Sequence, residues 1–287
     1  MNLDKREALK ENFRKQLTDF VDGLLSYVST GNTQWTIKGF IDVFQNIYTI
    51  SADTKIVSKI LEIHIFPQIL KFASANNYRV VLTDHQNYYP DLSFVSIFDE
   101  SIKFAVDFKT TYRLPENPQY CNGFTLGSHG EYFINRSSRK NIQFPYNEYI
   151  GHFCLGIIYS RATSEDIDET RIFNIHQMQS IVSVIRDFQF FVCEKWEIAS
   201  DRSGSGNTAN IGSIDNIQDI LSGNGMFKNL GEEVFDDYWM NYGRISILDE
   251  TGKERKIKNL KEFLEYKGID SNLINARTRR QRNKGSV

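Results

Sequence analysis

The chain has 287 residues, of which 40% are hydrophobic and 13% aromatic, enough for a substantial core in one large domain or two modest ones. The formal net charge of −2 neither indicates nor excludes a nucleic-acid partner, because an acidic exterior can balance a basic cleft. No apolar run approaches the roughly 20 residues that span a bilayer, and residues 1–6 lack a signal-peptide apolar region. We therefore expect a bacterial cytoplasmic protein with no membrane partner.

The first 75 residues predict a helix, short strands and a second helix. Apolar residues recur at helical spacing through residues 3–28, which favours an amphipathic helix that packs or dimerises. Residues 33–50 predict short strands, and a second helix should begin near Thr54, with Pro67 kinking it or ending its first part. Glu62 lies in the apolar part of this helix. Periodicity favours an exposed Glu62, and the alternative is an acid aimed at a site.

A β-hairpin is predicted next, after a short strand at residues 79–82 and a polar loop at 83–87. Its strands are the alternating runs 92–98 and 102–108. If paired residue numbers sum to about 200, Asp91 lies opposite Lys109 and Ser93 opposite Asp107. Asp91, Asp107 and Lys109 then share one face of the hairpin. The opposite, core-facing side carries the apolar residues Leu92, Phe94, Phe104, Val106 and Phe108.

The second half of the chain predicts loops, two buried strands and several short helices. A loop is predicted at residues 114–123, and buried strands at 152–159 and 188–198. A glycine-rich loop follows at 203–213, and then short helices at 214–221, 232–242 and 258–266. Residues 277–284 form a basic run. The three cysteines form no C-x-x-C pair, which predicts reduced packing residues and neither disulfide nor zinc; they are Cys121, Cys154 and Cys193.

Two carboxylates on neighbouring strands repel each other, so such a pair favours a divalent cation between them. Hard oxygen ligands favour magnesium, and a lysine two residues beyond Asp107 can offset the charge that develops on a phosphate. The hairpin therefore suits hydrolysis of a phosphodiester. The alternative is an ion pair on a solvated sheet face.

The loop at residues 204–212 has two functional interpretations. It lacks the Lys-Ser/Thr ending of a P-loop and any helix-opening G-x-G-x-x-G, so we expect no nucleotide cofactor. Its amides and the Thr208 methyl group instead suit the reading of adenine and thymine edges in DNA. A flexible surface loop remains the alternative.

Seven segments of the chain match a known family in order: residues 53–58, 89–91, 106–112, 124–127, 195–199, 204–213 and 237–242, with Arg244 after them. They resemble segments of the EcoRV family of blunt-cutting type II restriction endonucleases. The resemblance implies a mixed α/β (α+β) PD-(D/E)-x-K nuclease core, with a central sheet flanked by helices. It also implies a magnesium-dependent homodimer that cuts both strands of double-stranded DNA at a palindrome, with GATATC expected.

The resemblance also implies a role for each matching position. Asp91 and Asp107 would bind the metal with the Phe108 main-chain carbonyl nearby, Lys109 would be the catalytic lysine, and Glu62 a further acid. Major-groove recognition would fall to Gly204, Gly206, Asn207, Thr208 and Asn210. Gln86 and Asn87 match the family's minor-groove loop. Contacts to the DNA backbone or beside the site are expected from Lys55, Thr110, Thr111, Lys140 and Arg244.

We expect one nuclease domain over residues 1–287. Within it, residues 1–50 would supply an N-terminal helix and dimerisation elements, 53–160 the catalytic core, 188–245 the recognition region, and 250–287 a C-terminal helix and basic tail. The alternatives are a nicking or repair endonuclease of the same fold and a DNA-binding protein without catalysis. Cleavage of one strand or both separates the first alternative from the restriction enzyme.

Overall fold

The computed structural model describes residues 2–83, 85, 87–163, 167–204 and 209–275. The helices are α1 (Leu3–Val28), α2 (Thr54–Ala75), α3 (Glu131–Ile134), α4 (Ile217–Leu221), α5 (Gly231–Asn241) and α6 (Leu260–Lys267). The strands are β1 (Gly39–Ile41), β2 (Asn46–Thr49), β3 (Tyr78–Leu82), β4 (Leu92–Ser96), β5 (Lys103–Leu114), β6 (Asn117–Cys121), β7 (Thr125–Ser128), β8 (Gly151–Arg161), β9 (Ile172–Asn174), β10 (Ile185–Glu194), β11 (Ala199–Ser203), β12 (Asn210–Ser213), β13 (Ser246–Leu248) and β14 (Glu254–Lys256). Short 3-10 helices occupy Tyr146–Glu148, Ile175–Ser180, Lys195–Ile198 and Ser271–Leu273.

A mixed central sheet organises the fold. Its strand order is β10-β8-β5-β4-β3, with β6 attached to β5. The central pair β5 and β8 is parallel, and the other pairings are antiparallel. Side chains on one face pack with α1 and α2, and those on the other face pack with α4, α5 and α6. The expected mixed α+β fold, with helices flanking the sheet, is confirmed.

Both long helices begin where the sequence predicts. Asn2 caps α1 through its side chain, and Phe13 of α1 stacks on Phe104 of β5 with ring centroids 4.1 Å apart. Asp53 caps α2 by accepting hydrogen bonds from the next backbone N–H groups. The prediction that Pro67 could end the first part of α2 is wrong, because the helix continues through Pro67 to Ala75. Ile63, whose carbonyl would bond residue 67, lies on the exposed side of α2, where water can solvate it.

The hairpin forms, but its predicted register is wrong by two residues. Ser93 pairs with Ala105 and Leu92 with Val106, so Asp107 is not opposite Ser93. The turn is centred on Asp99 because Ser96 donates a hydrogen bond to the Ile102 carbonyl. Continuing the ladder places Asp91 beside Asp107 and not beside Lys109. The partner of each residue lies two positions earlier than predicted. Because side chains alternate with a period of two, every side chain keeps its predicted face.

Two further segments differ from expectation. Residues 114–123 contain β6, which pairs with β5 in an edge position that tolerates Pro118. The strand predicted over 188–198 ends at Glu194, and a 3-10 helix follows. Glu197 accepts a hydrogen bond from the Glu194 N–H in a capping box that turns the chain out of the sheet.

Three smaller sheets surround the central one: β1-β2-β9, β11-β12-β7 and β13-β14. The three cysteines are free and buried, as predicted. Within the described part of the chain, no helix is long and apolar enough to cross a membrane.

Candidate active site

Strands β4 and β5 bring Asp91, Asp107 and Lys109 together. The Asp91 N–H donates to Asp107 Oδ1 at 3.1 Å, and Asp91 Oδ2 accepts from the Phe108 N–H at 2.8 Å. Lys109 Nζ lies 2.9 Å from Asp107 Oδ2. We call Asp91 and Asp107 the acid pair. Its two members are held by backbone hydrogen bonds as well as by the sheet, so their positions are fixed.

Burial dominates the electrostatics of this cluster. Burial, followed by repulsion from Asp107, raises the pKa of Asp91 to about 7 although Lys109 opposes the shift. Burial also disfavours the Lys109 ammonium, but Asp107 and Asp91 outweigh it and raise the pKa of Lys109. Lys109 is therefore charged at neutral pH. A cation bound beside Asp91 would favour its ionised form, because the acid pair presents two carboxyl groups to one ammonium.

The donor set of the acid pair fits magnesium. No group of three or more His, Cys, Asp or Glu side chains suited to a metal occurs among the described residues. Magnesium is commonly held by one or two carboxylates and keeps several of its waters, so an acid pair that opens to solvent is sufficient. The carboxylate oxygens of the acid pair are hard donors, which suit magnesium better than zinc.

An open cavity of about 560 Å³ lies in front of the cluster. The acid pair contributes Asp91 to its wall, and Lys109 projects beside it. The other lining residues come from α2, β5 and the segment before β7, and include Thr54, Lys55, Lys59, Glu62, Phe108, Thr110, Thr111 and Thr125. The cavity therefore brings together the first three turns of α2 and the part of the hairpin that carries Asp91 and Lys109.

Glu62 faces this cavity without hydrogen-bonding the acid pair. Its side chain is 28% exposed and forms an ion pair with Lys59 at 2.8 Å. This ion pair is the main cause of a raised Lys59 pKa, to which Asp91 also contributes. Periodicity alone predicted an exposed residue, whereas the structure places Glu62 half-buried at the cavity wall.

The stem of the glycine-rich loop borders the same cavity. The Gly204 N–H donates to the Asn210 carbonyl at 2.7 Å and closes the loop. Strand β12 pairs with β7, whose first residue, Thr125, lines the cavity. A Cβ on Gly204 would lie 3.1 Å from Thr125 Oγ1, which leaves little room for a side chain there. The predicted recognition residues Gly206, Asn207 and Thr208 lie outside the described residues.

The remaining predicted contacts are dispersed. Lys55, Thr110 and the buried Thr111 line the cavity. In the described part of the chain, the exposed Lys140 and Arg244 lie away from the cavity lining, as does the exposed Asn87. Gln86 is outside the described residues.

Comparison with known proteins assigns the family. The model of the family described as restriction endonuclease EcoRV matches residues 31–268. The chain belongs to the EcoRV family of restriction endonucleases. The type II restriction enzyme EcoRV of Escherichia coli is 34% identical over 244 residues, which are 85% of this chain and 95% of that enzyme. Family membership makes the chain a type II site-specific deoxyribonuclease that acts on DNA with a divalent metal ion.

Three residues beside the EcoRV-family site were missed in the sequence. Lys59 lies three positions before Glu62 on α2, a spacing that could have indicated their ion pair. Thr125 reaches the cavity through the pairing of β7 with β12, which no local pattern predicts. Lys195 falls within the strand predicted over residues 188–198, but it begins a 3-10 helix and is buried, with Tyr89 as its nearest aromatic ring.

Proposed function

We propose that this EcoRV-family enzyme recognises GATATC and cuts both strands at the central TA step with Mg²⁺, leaving blunt ends with 5′-phosphates. The observation that carries the proposal is the acid pair with Lys109, facing a cavity that the stem of the glycine-rich loop also borders. Residues 53–160 would then cut, and residues 188–245 would read the sequence. TA steps unstack easily, which suits cleavage at a kinked centre.

In this proposal Asp91 and Asp107 hold the magnesium ion, with the Phe108 carbonyl and Glu62 as further oxygen donors. A bound magnesium ion would acidify water and stabilise negative charge on the phosphate. Water attacks the phosphorus, and the bond from phosphorus to the 3′-oxygen breaks. The phosphate therefore stays on the 5′ end, and the 3′-oxygen leaves as a hydroxyl.

Lys109 would act on the phosphate directly. Its raised pKa keeps the ammonium charged at neutral pH, and Asp107 fixes its position at 2.9 Å. A charged donor held in the cavity can hydrogen-bond a phosphate oxygen or the attacking water, and it offsets charge in the transition state. Glu62, paired with Lys59, would orient water at the cavity wall.

Recognition would divide between the two grooves and the backbone. Gly204, Gly206, Asn207, Thr208 and Asn210 would form the major-groove loop, in which amides pair with adenine edges and a methyl group meets thymine. Gln86 and Asn87 would approach the minor groove. Contacts to phosphates or beside the site are assigned to Lys55, Thr110, Thr111, Lys140 and Arg244.

A homodimer would match the two-fold symmetry of the palindrome. The sheet β1-β2-β9 offers a surface for it, because Phe40, Tyr48 and Ile172 are paired across its strands and all are exposed. At the adjoining turn Val43 is 89% exposed and Phe44 81%. A contiguous apolar patch of this kind is typical of a protein interface. It falls within the dimerisation region predicted at residues 1–50, apart from Ile172.

Digestion of a plasmid with one GATATC site tests the specificity and the metal. We expect a linear product in Mg²⁺ and intact plasmid in excess chelator, and sequencing of the ends should show blunt cleavage with 5′-phosphates. Overhanging ends or cutting at another sequence would reject the proposed specificity. Cleavage of only one strand would favour the nicking alternative.

The dimer is tested separately by sedimentation. We expect the wild-type chain to sediment as a dimer and Phe44→Lys to shift it toward the monomer, because two lysines would meet across a symmetric apolar interface. Exposed Phe98 lies on the turn between β4 and β5, so Phe98→Lys is the matched control. A monomeric wild-type enzyme would contradict the dimer.

A further inference from the structure

Lys195 is a charged residue in the interior with no hydrogen-bond partner. Its side chain is 3% exposed, and Nζ has no partner among the described residues. Three aromatic rings surround the ammonium, with centroids 4.5 Å away for Tyr89, 4.8 Å for Tyr146 and 5.5 Å for Phe133. Burial lowers the pKa of Lys195 to about 8, so the ammonium still predominates at neutral pH.

An unpaired buried ammonium is unfavourable for folding. Transfer of a charge from water into the interior is strongly opposed, and contacts with aromatic rings recover only part of the lost solvation. A methionine of similar length would pack among the same rings at a smaller cost. Packing therefore does not account for a lysine at this position.

The position of Lys195 connects the two halves of the site. Its nearest ring belongs to Tyr89, two residues before Asp91, and Asp107 is the group that most favours the Lys195 ammonium. Lys195 also begins the 3-10 helix that runs directly into β11, and Gly204 follows the end of β11. One short segment thus joins the rear of the acid pair to the stem of the glycine-rich loop.

Tyr89 is itself held in an ordered stack. Its ring lies parallel to that of Tyr132 at 5.3 Å, and its hydroxyl hydrogen-bonds His152 Nδ1 at 2.9 Å. The Tyr89 backbone also bonds to residues 141 and 143. A displacement of the Lys195 ammonium would therefore act on a rigid unit that carries Asp91 two residues later.

We propose that Lys195 is a positioning residue, whose ammonium fixes the Tyr89 ring, and with it the Asp91 carboxylate, relative to the strand that leads to the recognition loop. This inference rests on the proposed metal-binding role of Asp91 and Asp107. Lys195 lies behind the acid pair and does not line the described cavity, so it acts through Tyr89 and not on the substrate. Loss of its charge should then lower the rate of cleavage and leave DNA affinity unchanged.

The test compares three variants in the full-length enzyme. Lys195→Met keeps the packing and removes the charge, and Lys195→Gln provides a second neutral side chain if methionine does not fold. Lys103→Met is the matched control, because Lys103 also lies over an aromatic ring, Phe144 at 5.2 Å, and pairs with Glu148 away from the cavity. Asp107→Asn reports on the acid pair itself.

Each variant is measured for thermal midpoint, for binding to a GATATC duplex in Ca²⁺ under conditions where the wild type does not cleave, and for single-turnover cleavage in Mg²⁺. For Lys195→Met we expect a midpoint no lower than wild type, DNA affinity within about threefold, and cleavage slowed by about 30-fold or more. Lys103→Met should cleave at the wild-type rate.

The outcomes separate this inference from the proposed function. If Lys195→Met cleaves within about threefold of wild type while Asp107→Asn is inactive, Lys195 is not a positioning residue. If the midpoint, DNA affinity and cleavage of both neutral variants fall together, the role of Lys195 is structural and the inference is also overturned. If Asp107→Asn cleaves normally, the assignment of the acid pair fails instead.

Discussion

Two pairs of carboxylates lie at the central sheet, and the positive charges that contact them differ. One is the acid pair. The other is Glu194 and Glu197 at the end of β10, where burial, followed by repulsion from Glu232, raises the pKa of Glu194 to about 7. The pKa of Asp91 is raised to the same value, again mainly by burial. A raised carboxyl pKa therefore does not distinguish the two pairs.

The two carboxylate pairs differ in the positively charged side chains that contact them. Arg14 binds both oxygens of Glu197 at 3.0 and 2.9 Å and reaches Glu194 at 2.6 Å, and Lys10 lies 3.4 Å from Glu194. The glutamates are thus matched by two cations and tie α1 to the strand end. Among the described residues, one lysine, Lys109, contacts the acid pair, which opens to the cavity. Excess negative charge facing a cavity, and not pKa alone, indicates a metal site.

Neutralising Asp107 should have the largest effect on cleavage. Asp107→Asn removes a charged oxygen that the proposed metal site needs, so we expect cleavage to fall by at least about 10³-fold. Binding to the duplex in Ca²⁺ should remain detectable, because the stem of the recognition loop is untouched. Single-turnover cleavage and a binding titration measure both quantities. Retained cleavage would show that the acid pair is not the metal site.

The second test removes the cation that balances the glutamates. Arg14→Met leaves Glu194 and Glu197 without their main partner. Removal of one member of a buried ion pair destabilises a protein by about 3–5 kcal/mol. Because the Arg14 side chain is 24% exposed, we expect the lower end of that range, a fall of about 3 kcal/mol in the free energy of unfolding. Urea unfolding measures the change. The control is Arg79→Met, whose ion pair with Glu100 is exposed and should contribute less than about 0.5 kcal/mol. Equal effects of the two variants would contradict a structural role for the buried cluster.

The third test measures how the stability of the metal-free enzyme depends on pH through Asp91. The pKa of Asp91 rises from 3.8 to about 7 on folding, so the folded chain binds more protons than the unfolded chain between these values. Without metal, this group therefore makes stability fall as the pH rises from about 4 to 7. Asp91→Asn removes that penalty. Because Asp91 is exposed and solvent screens part of the effect, we expect the variant to stabilise the metal-free enzyme by only about 2 kcal/mol near pH 8 and by less near pH 5.

Thermal unfolding in chelator at both pH values measures this effect. Added Mg²⁺ should stabilise the wild-type chain and leave Asp91→Asn nearly unchanged, since a ligand stabilises only the form that binds it. A variant less stable than wild type near pH 8 would show that hydrogen bonding by the carboxylate outweighs its burial.

The smallest expected effect concerns Glu62. Glu62→Gln removes a carboxylate that faces the cavity from outside the acid pair, and we expect cleavage to slow by about tenfold with unchanged stability. Lys59→Met removes the other half of the ion pair and is the matched control. If both variants slow cleavage equally, Glu62 acts only by holding Lys59.

Local patterns predicted the two long helices, the strands β3, β4, β5, β8 and β10 of the central sheet, and the faces of the hairpin. The alternation of residues 92–108 placed the acid pair on one side despite the error in register. The partner of each residue was wrong by two positions, and a change of two preserves the faces. The register itself depended on the centre of the turn, which the Ser96–Ile102 hydrogen bond sets. That bond leaves no signature in the residue types.

The long-range features of the site could not be predicted in this way. The parallel pairing of β5 with β8, the passage of β7 along the cavity and the burial of Lys195 all depend on segments distant in sequence. Lys195 falls within the buried strand predicted over residues 188–198, and no residue type there indicates that aromatic rings surround its ammonium. The capping box of Glu194 and Glu197 ends the strand before it and turns its side chain into the core.

The central position of β5 and β8 bears on how the site responds to local opening. Each is hydrogen-bonded to neighbouring strands on both sides, and β8 is buried from Gly151 to Tyr159. The amide hydrogens in the middle of β5 and β8 should therefore exchange with solvent only when the whole molecule unfolds. The stem strands β11 and β12 are short and irregularly paired, so their amides should exchange through smaller openings. The stem of the glycine-rich loop can then open locally while the acid pair keeps its geometry.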